Sequence, residues 1–203
     1  ENGGVILNGY GAHDNIVLGN RIGFDAAGNP TLPNGLGVGA NMGQRHATIG
    51  GYTAVEGNAL QGGAITMRIS DPGIEAMLIM GNTIINAKRL AIFLEAGTSD
   101  NFVQHNALDH IGDYNIRVDA GTGNQLRGNL FSGAKPAELV VLLERAAGGL
   151  SAPVLGKAAR SHVEGKTIPY SLVEVYRFEK TQAVPLGFAC ADADGGFVFT
   201  SAE

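Results

Sequence analysis

Three polar residues stand 25 and 24 positions apart, each closing a similar apolar stretch: Ser70 after Met67-Arg68-Ile69, Glu95 after Ile92-Phe93-Leu94, and Asp119 after Ile116-Arg117-Val118. Glu144 extends the series by another 25 positions. Carboxylates held one strand spacing apart raise one another's pKa or recruit a cation, and paired carboxylates are what glycoside cleavage uses. Glu95 and Asp119 are therefore the candidate acid-base pair and the weak candidates for a metal site, calcium being the cation such oxygens would take. The plainer alternative is a solvated corner whose charge is relieved by Arg68 and Arg117. His105 and His110, the latter near Asp109 and Asp113, are the candidate bases, since a histidine beside a carboxylate can abstract a proton from a uronic acid. The G-H-G, R-x-P-x-x-R and N-x-D…D-D patterns of pectin-degrading enzymes do not occur.

Other motifs carry less chemistry. Asp192-Ala-Asp-Gly195 begins like a calcium loop, but the third ligand and terminal Glu are missing, so it reads as a hairpin turn. Gly35-Leu-Gly-Val-Gly39 lacks the Gly-Lys-Ser/Thr and helix of a phosphate loop. Cys190, between Ala189 and Ala191, reads as a small packed strand residue. As the single cysteine it excludes an internal disulfide framework and a cysteine zinc site.

The elements that would position these side chains come from a repeat. Gly57-Asn58, Gly81-Asn82, His105-Asn106 and Gly128-Asn129 place asparagines 24, 24 and 23 residues apart. Asn20 joins the series if residues 25–34 are an insertion within its spacing of 38. The stretches ending at Ser70, Glu95 and Asp119 alternate apolar and outward residues, which is strand periodicity. A period near 24 built from short strands and Gly/Asn turns predicts an all-β fold, a parallel β-helix of about five to six coils. Met67 and Ile69, Ile92 and Leu94, and Ile116 and Val118 would stack inside, with Arg68, Phe93 and Arg117 outside. Asn20, Asn58, Asn82, Asn106 and Asn129 form the predicted structural ladder. Each would sit at a tight corner in a left-handed backbone, its amide bonded to its counterpart one coil away. Propeller blades and leucine-rich repeats need periods and patterns that are absent here.

Composition agrees. Of 203 residues 31 are glycine and only 16% are charged, with a net charge of −5. That excludes a disordered chain and leaves no basic footprint for nucleic acid. No apolar run reaches the roughly 20 residues of a membrane-spanning helix, so no membrane span is expected. The absence of a signal segment before Glu1 reads as a mature product or an excised fragment. All 15 asparagines lie at or before Asn129, and only 7 glycines follow Gly133, which marks a change of architecture.

Asn15-Ile-Val-Leu-Gly-Asn-Arg-Ile-Gly-Phe-Asp25, with Ala47-Thr-Ile-Gly-Gly51, resembles the right-handed parallel β-helix repeats of large secreted and cell-surface bacterial proteins. Those repeats run N-x-I-x-G-N-x-I-G-x-D, a small loop and T-I-G-G. After the boundary, Ser171-Leu-Val-Glu-Val-Tyr-Arg-Phe178 and Ala191-Asp-Ala-Asp-Gly-Gly-Phe197 are similar to the small immunoglobulin-like β-sandwich modules that follow such helices. The expected organisation is a β-helix over 1–134, a linker or last coil over 135–151, and a sandwich-like module, partial at this length, over 152–203. In that module Leu186-Gly-Phe-Ala-Cys-Ala191 and Gly196-Phe-Val-Phe-Thr200 are expected to pair as a hairpin. Val173, Val175, Tyr176 and Phe178 cannot share one face, which requires burial on two sides or a bulge. The resemblance implies a non-catalytic extracellular or cell-surface module for structure, assembly or adhesion, contacting glycans, with no cofactor. Its partners would be other copies of itself, as in a filament, or further modules of a longer parent, and polysaccharide. A carbohydrate-active β-helix enzyme, a lyase or hydrolase of acidic polysaccharide, is the alternative.

Overall fold

The computed structural model describes residues 3–63, 65–133, 140–145, 153–159, 161–180 and 182–201, with side chains for all but 65, 66 and 140–145. The described residues are all-β, with no helix among them.

A three-strand unit recurs. The first repeat contains β1 (Gly3–Asn8), β2 (Ile16–Val17) and β3 (Arg21–Ile22), and the second β4 (Leu36–Asn41), β5 (Thr48–Gly50) and β6 (Ala59–Gln61). Next come β7 (Ile65–Ile69), β8 (Leu78–Met80) and β9 (Thr83–Ile85), then β10 (Leu90–Leu94), β11 (Phe102–Gln104) and β12 (Ala107–Asp109). Finally β13 (Tyr114–Ala120), β14 (Gln125–Arg127) and β15 (Leu130–Ser132) precede β16 (Val140–Arg145). Members of each class pair in parallel. The first sheet runs β1-β4-β7-β10-β13-β16 and the second β2-β5-β8-β11-β14, while β3-β6-β9-β12-β15 form most of the third.

Register makes this arrangement a core. In the first sheet Val38, Met67, Ile92 and Ile116 align, as do Ala40, Ile69, Leu94 and Val118. Val17, Ile49, Ile79, Val103 and Leu126 align in the second sheet. In the third sheet Ile22, Leu60, Ile84, Leu108 and Phe131 do the same. All of these rows belong to one hydrophobic cluster. Each fully buried Ile or Leu contributes about 1.5–3 kcal/mol of transfer free energy, and parallel in-register stacking brings like side chain onto like. Arg68, Phe93 and Arg117 align on the opposite face. Phe93 is only 7% exposed there, because the Arg117 guanidinium lies 5.1 Å from its ring centre.

The remaining strands are antiparallel. β17 (Val154–Ala159), β18 (His162–Lys166) and β21 (Gly196–Thr200) form a three-stranded sheet in the order β17-β18-β21. β19 (Leu172–Glu179) and β20 (Gln182–Cys190) form a hairpin, and β20 adds antiparallel to β15, extending the third sheet. Between them lies a second, smaller core of Val173, Val175, Ala189, Ala191, Phe197 and Phe199.

Three expectations are corrected here. The turn from Asp192 to Gly196 exists, closed by the Asp192 N–H to Gly196 carbonyl bond and by the Asp192 carboxylate accepting from the Gly196 N–H. The strands it joins are not paired with each other, however: β20 pairs with β19 and β15, and β21 with β18. The turn passes the chain between two layers so that β20 and β21 each bury a face in the second core. Cys190 is exposed, because alternation along β20 turns its neighbours Ala189 and Ala191 inward instead. The third correction concerns the corners. The left-handed residues are Gly19, Gly81, His105 and Gly128, each preceding a ladder asparagine, and not the asparagines themselves. At Gly81 a Cβ would come within 2.1 Å of the Gly51 carbonyl oxygen, so glycine is demanded by space as well as by its φ of 63°.

The four-residue conflict in β19 has a direct solution. A register shift between Val175 and Tyr176 lets Val173 and Val175 enter the second core while Tyr176 and Phe178 pack on the first.

Candidate functional site

Chain order within a repeat fixes where each candidate side chain can go. Glu95 and Asp119 lie where the chain leaves the first sheet for the second, His105 between the second and third, and His110 between the third and the first. The four candidates thus occupy three different corners.

At the first corner the carboxylates are already paired. Glu95 Oε1 accepts from Arg68 Nε at 2.9 Å and lies 2.7 Å from Nη2. Asp119 accepts from Arg117 Nε at 2.6 Å and Nη2 at 3.2 Å, a two-pronged contact. Those hydrogen bonds raise the Arg117 pKa, against an opposing effect of burial, with the Asp119 and Glu95 charges adding to the rise. Ser70 is half-buried at the equivalent place one repeat earlier, and its N–H donates to the Ala40 carbonyl. The Glu144 side chain lies outside the described residues. Among the described residues no group of three or more His, Cys, Asp or Glu is placed to hold a metal ion.

The histidines have different surroundings. His105 is exposed at φ 55° in the position glycine takes in other repeats, and it borders a cleft of about 230 Å³ beside Tyr52 and Gly81. His110 Nδ1 lies 2.9 Å from an Asp109 oxygen, and the Ser132 hydroxyl donates to the other Asp109 oxygen. Partial burial pushes the Asp109 pKa up, but the bonds from Ser132 and His110 outweigh it, leaving the carboxyl below its usual range. The aspartate stands between serine and histidine, and among the described residues no hydrogen bond joins the His110 ring to the Ser132 hydroxyl through which it could remove the proton.

No protein-family model matches the chain, and no curated protein is significantly similar to it.

The most extensive polar constellation is the amide column. Asn58 Nδ2 donates to Asn82 Oδ1 at 2.9 Å, Asn82 to Asn106 at 3.0 Å, and Asn106 to Asn129 at 3.0 Å. The same oxygens accept from the backbone N–H of Asn58, Asn82 and Asn106. Asn20 joins through its N–H and Nδ2, both donating to Asn58 Oδ1. Each Nδ2 also reaches a main-chain carbonyl, as from Asn82 to Ile49 at 2.8 Å and from Asn106 to Ile79 at 3.0 Å. These four asparagines from Asn58 onward are at most 2% exposed, so each amide satisfies main-chain groups that the short strands leave unpaired at the corner.

A second amide column stands at the corner between the first and second sheets and was not anticipated. Asn101 Nδ2 donates to Asn124 Oδ1 at 2.9 Å, and Asn101 Oδ1 accepts from the Met77 N–H. Asn15 donates to Gln44 at 2.9 Å at the other end of the same corner. A five-residue spacing signals it: Asn15 and Asn20, Asn101 and Asn106, and Asn124 and Asn129 repeat the same interval.

Proposed function

We propose that this chain is a non-catalytic structural module: a right-handed parallel β-helix rod followed by a small immunoglobulin-like β-sandwich, serving spacing, assembly or adhesion at a cell surface or outside the cell. The observation that carries the reading is the contrast between its polar groups. The extensive constellation is spent on main-chain donors and acceptors within the core, whereas the carboxylates that could do chemistry are each bound by an arginine and stand apart from both histidines. A lyase or hydrolase needs acid, base and cationic groups converging on one bond. The in-register parallel sheets around one core support the rod, and the two antiparallel layers over the second core support the sandwich. Partners are further copies or modules of like build, and a polysaccharide surface against the outer faces.

Incubation with uronate-containing and neutral polysaccharides, across pH and with or without calcium, should release no unsaturated products and no new reducing ends. Cleavage abolished by Glu95→Gln or Asp119→Asn would overturn the proposal in favour of a carbohydrate-active enzyme.

A further inference from the structure

Two residues turn the chain from the second sheet to the third in three of the repeats: Gly81 and Asn82, His105 and Asn106, and Gly128 and Asn129. Two departures from this rule meet at one place. Between β5 and β6 the turn has eight residues, Gly51 to Asn58, and the surplus closes into a loop. Its Glu56 and Gly57 N–H groups donate to the Thr53 carbonyl at 3.1 and 3.2 Å, and the Thr53 N–H donates to Glu56 Oε2 at 3.0 Å. The loop holds Tyr52 outward, 82% exposed. The second departure is His105, which adopts a φ of 55° where Gly19, Gly81 and Gly128 stand in other repeats, a conformation that costs free energy once a Cβ is present. Both departures border the same cleft of about 230 Å³, lined by loop residues 51–54 together with Met80, Gly81 and His105.

His105 also differs from the other histidines. His13, His46, His110 and His162 each lie 2.6–3.9 Å from a carboxylate oxygen, whereas among the described residues no hydrogen bond or ion pair engages the His105 ring. That ring reaches over Gly128, where a Cβ would fall 2.6 Å from Nδ1. A costly backbone conformation and an unengaged imidazole, set against an inserted loop, are local rules broken together, as happens where a surface binds something.

We propose that this cleft seats one uncharged pyranose ring of a polysaccharide, with Tyr52 against the apolar face of the sugar and the His105 and Thr53 side chains on its hydroxyls. The inference rests on the reading of the chain as a non-catalytic module that meets polysaccharide, and it names the place of contact.

Charge, size and polarity choose the occupant. No Lys, Arg, Asp or Glu lines the cleft, and the Glu56 carboxylate of the loop is turned back on the Thr53 N–H, so a uronate, sulfate or phosphate would shed water and find no counter-charge. The volume lies below the roughly 300–1,000 Å³ of a whole small-molecule pocket and admits a single ring of a longer chain. A pyranose has a C–H face and a rim of hydroxyls. Tyr52 and the buried Met80 offer apolar surface to the first. The neutral imidazole, with one donor and one acceptor nitrogen, and the Thr53 hydroxyl serve the second. An aromatic side chain of a protein partner would fill the apolar part and leave both polar groups unmatched.

The test titrates the whole chain with short oligosaccharides of glucose, of galactose and of mannose, and with oligogalacturonate as the acidic probe, read by calorimetry and by the NMR signals of the His105 ring. One neutral series should bind and shift those signals, while oligogalacturonate binds more weakly. Tyr52→Ala should weaken binding about five- to tenfold. His105→Gly should weaken it to a similar extent while leaving the urea midpoint unchanged or raised, because glycine restores the backbone that the turn prefers. Absence of binding by every neutral probe would overturn the inference, as would preference for oligogalacturonate or a urea midpoint lowered in His105→Gly. Binding that ignores both substitutions would overturn this inference alone and leave the structural reading standing. Cleavage of a bound oligosaccharide would overturn the non-catalytic reading and this inference with it.

Discussion

The repeat body and the C-terminal strands solve one problem, satisfying buried main chain, in opposite ways. In the body every strand is two to seven residues long and parallel, so the sheets alone leave the corners unsatisfied, and asparagine side chains fill that need repeat after repeat. In the C-terminal part the strands are five to nine residues long and antiparallel, turns are local, and no amide column is needed. The lesson is that a stacked repeat is only as sound as its corner chemistry, whereas a hairpin layer depends on its apolar face. The two meet in β19, whose bulge divides one strand between two cores.

The largest effect should come from charge in either core, and it should differ in extent. Leu94 is fully buried between Ile69 and Val118, so Leu94→Asp leaves a carboxylate without water or partner and should cost about 4 kcal/mol or more, unfolding the body. Phe197→Asp strikes the second core, where Phe197 is 3% exposed. It should release amide protection in β17, β18 and β21 while the amides of Asn82 and Asn106 stay protected, because Tyr176, Phe178 and Ala183 of the hairpin belong to the first core. Hydrogen exchange reads both. Loss of ladder protection in Phe197→Asp would mean that the two regions fold as one unit.

Next in size is the corner itself. Asn106→Ala removes an acceptor for two Asn82 groups and a donor to the Ile79 carbonyl, all in a fully buried position, and should cost roughly 2–4 kcal/mol in a urea titration. Asn20→Ala should cost less than about 1 kcal/mol, since water reaches that exposed end of the column. Equal losses at the two positions would remove burial as the source of the ladder's contribution.

Much of the body was legible in the sequence for a physical reason. Parallel in-register stacking demands the same residue class at the same place in each repeat, so Met67, Ile92 and Ile116, like Asn82 and Asn106, carry the three-dimensional neighbour relation in their spacing. The left-handed residue was misassigned by one position because asparagine and glycine both tolerate that backbone, and only geometry separates Gly81 from Asn82. The hairpin's contact with the ladder was illegible: Glu174 stands 46 residues from its partner Gly128, outside the period, and nothing in a Glu-Val-Tyr alternation announces it. The partners of Glu95 and Asp119 were legible as charges only, since the sequence places Arg68 and Arg117 nearby without aiming them.

A smaller effect should follow at that first corner. Arg117→Met keeps an apolar stem over Phe93 but loses the paired contact to Asp119 and the cation over the ring, and should cost about 0.5–1 kcal/mol. Asp119 would then stand as an uncompensated carboxylate, so Arg117→Met with Asp119→Asn should recover part of the loss. A double-mutant cycle measures the coupling, and strict additivity would reduce the pair to a surface ornament of the sheet.

The smallest effect sharpens the comparison through pH. Amides do not titrate, so the asparagine columns hold equally well in acid, and below the histidine range proton uptake acts where carboxylates complete the hydrogen bonding. Asp109 is such a place, and its row shows why it is singular: the aligned residues are Gln61, Ile85 and Ser132, so one repeat alone carries a carboxylate there. Its pKa is lowered on folding by the bonds from Ser132 and His110, which outweigh its partial burial. A group depressed in the folded state stabilises fully above its unfolded pKa, about 4, and loses that contribution as pH falls through the folded value. Stability should therefore decline below about pH 4 through this group, and Asp109→Asn should flatten that part of the decline. Ser132 also lies on the strand that receives the hairpin, opposite Gln182, so acid should raise exchange at Ser132 before it does so at Asn82. If acid opened both amides together, or if Asp109→Asn left the acid slope unchanged, the titrating support of the hairpin end would have to lie elsewhere.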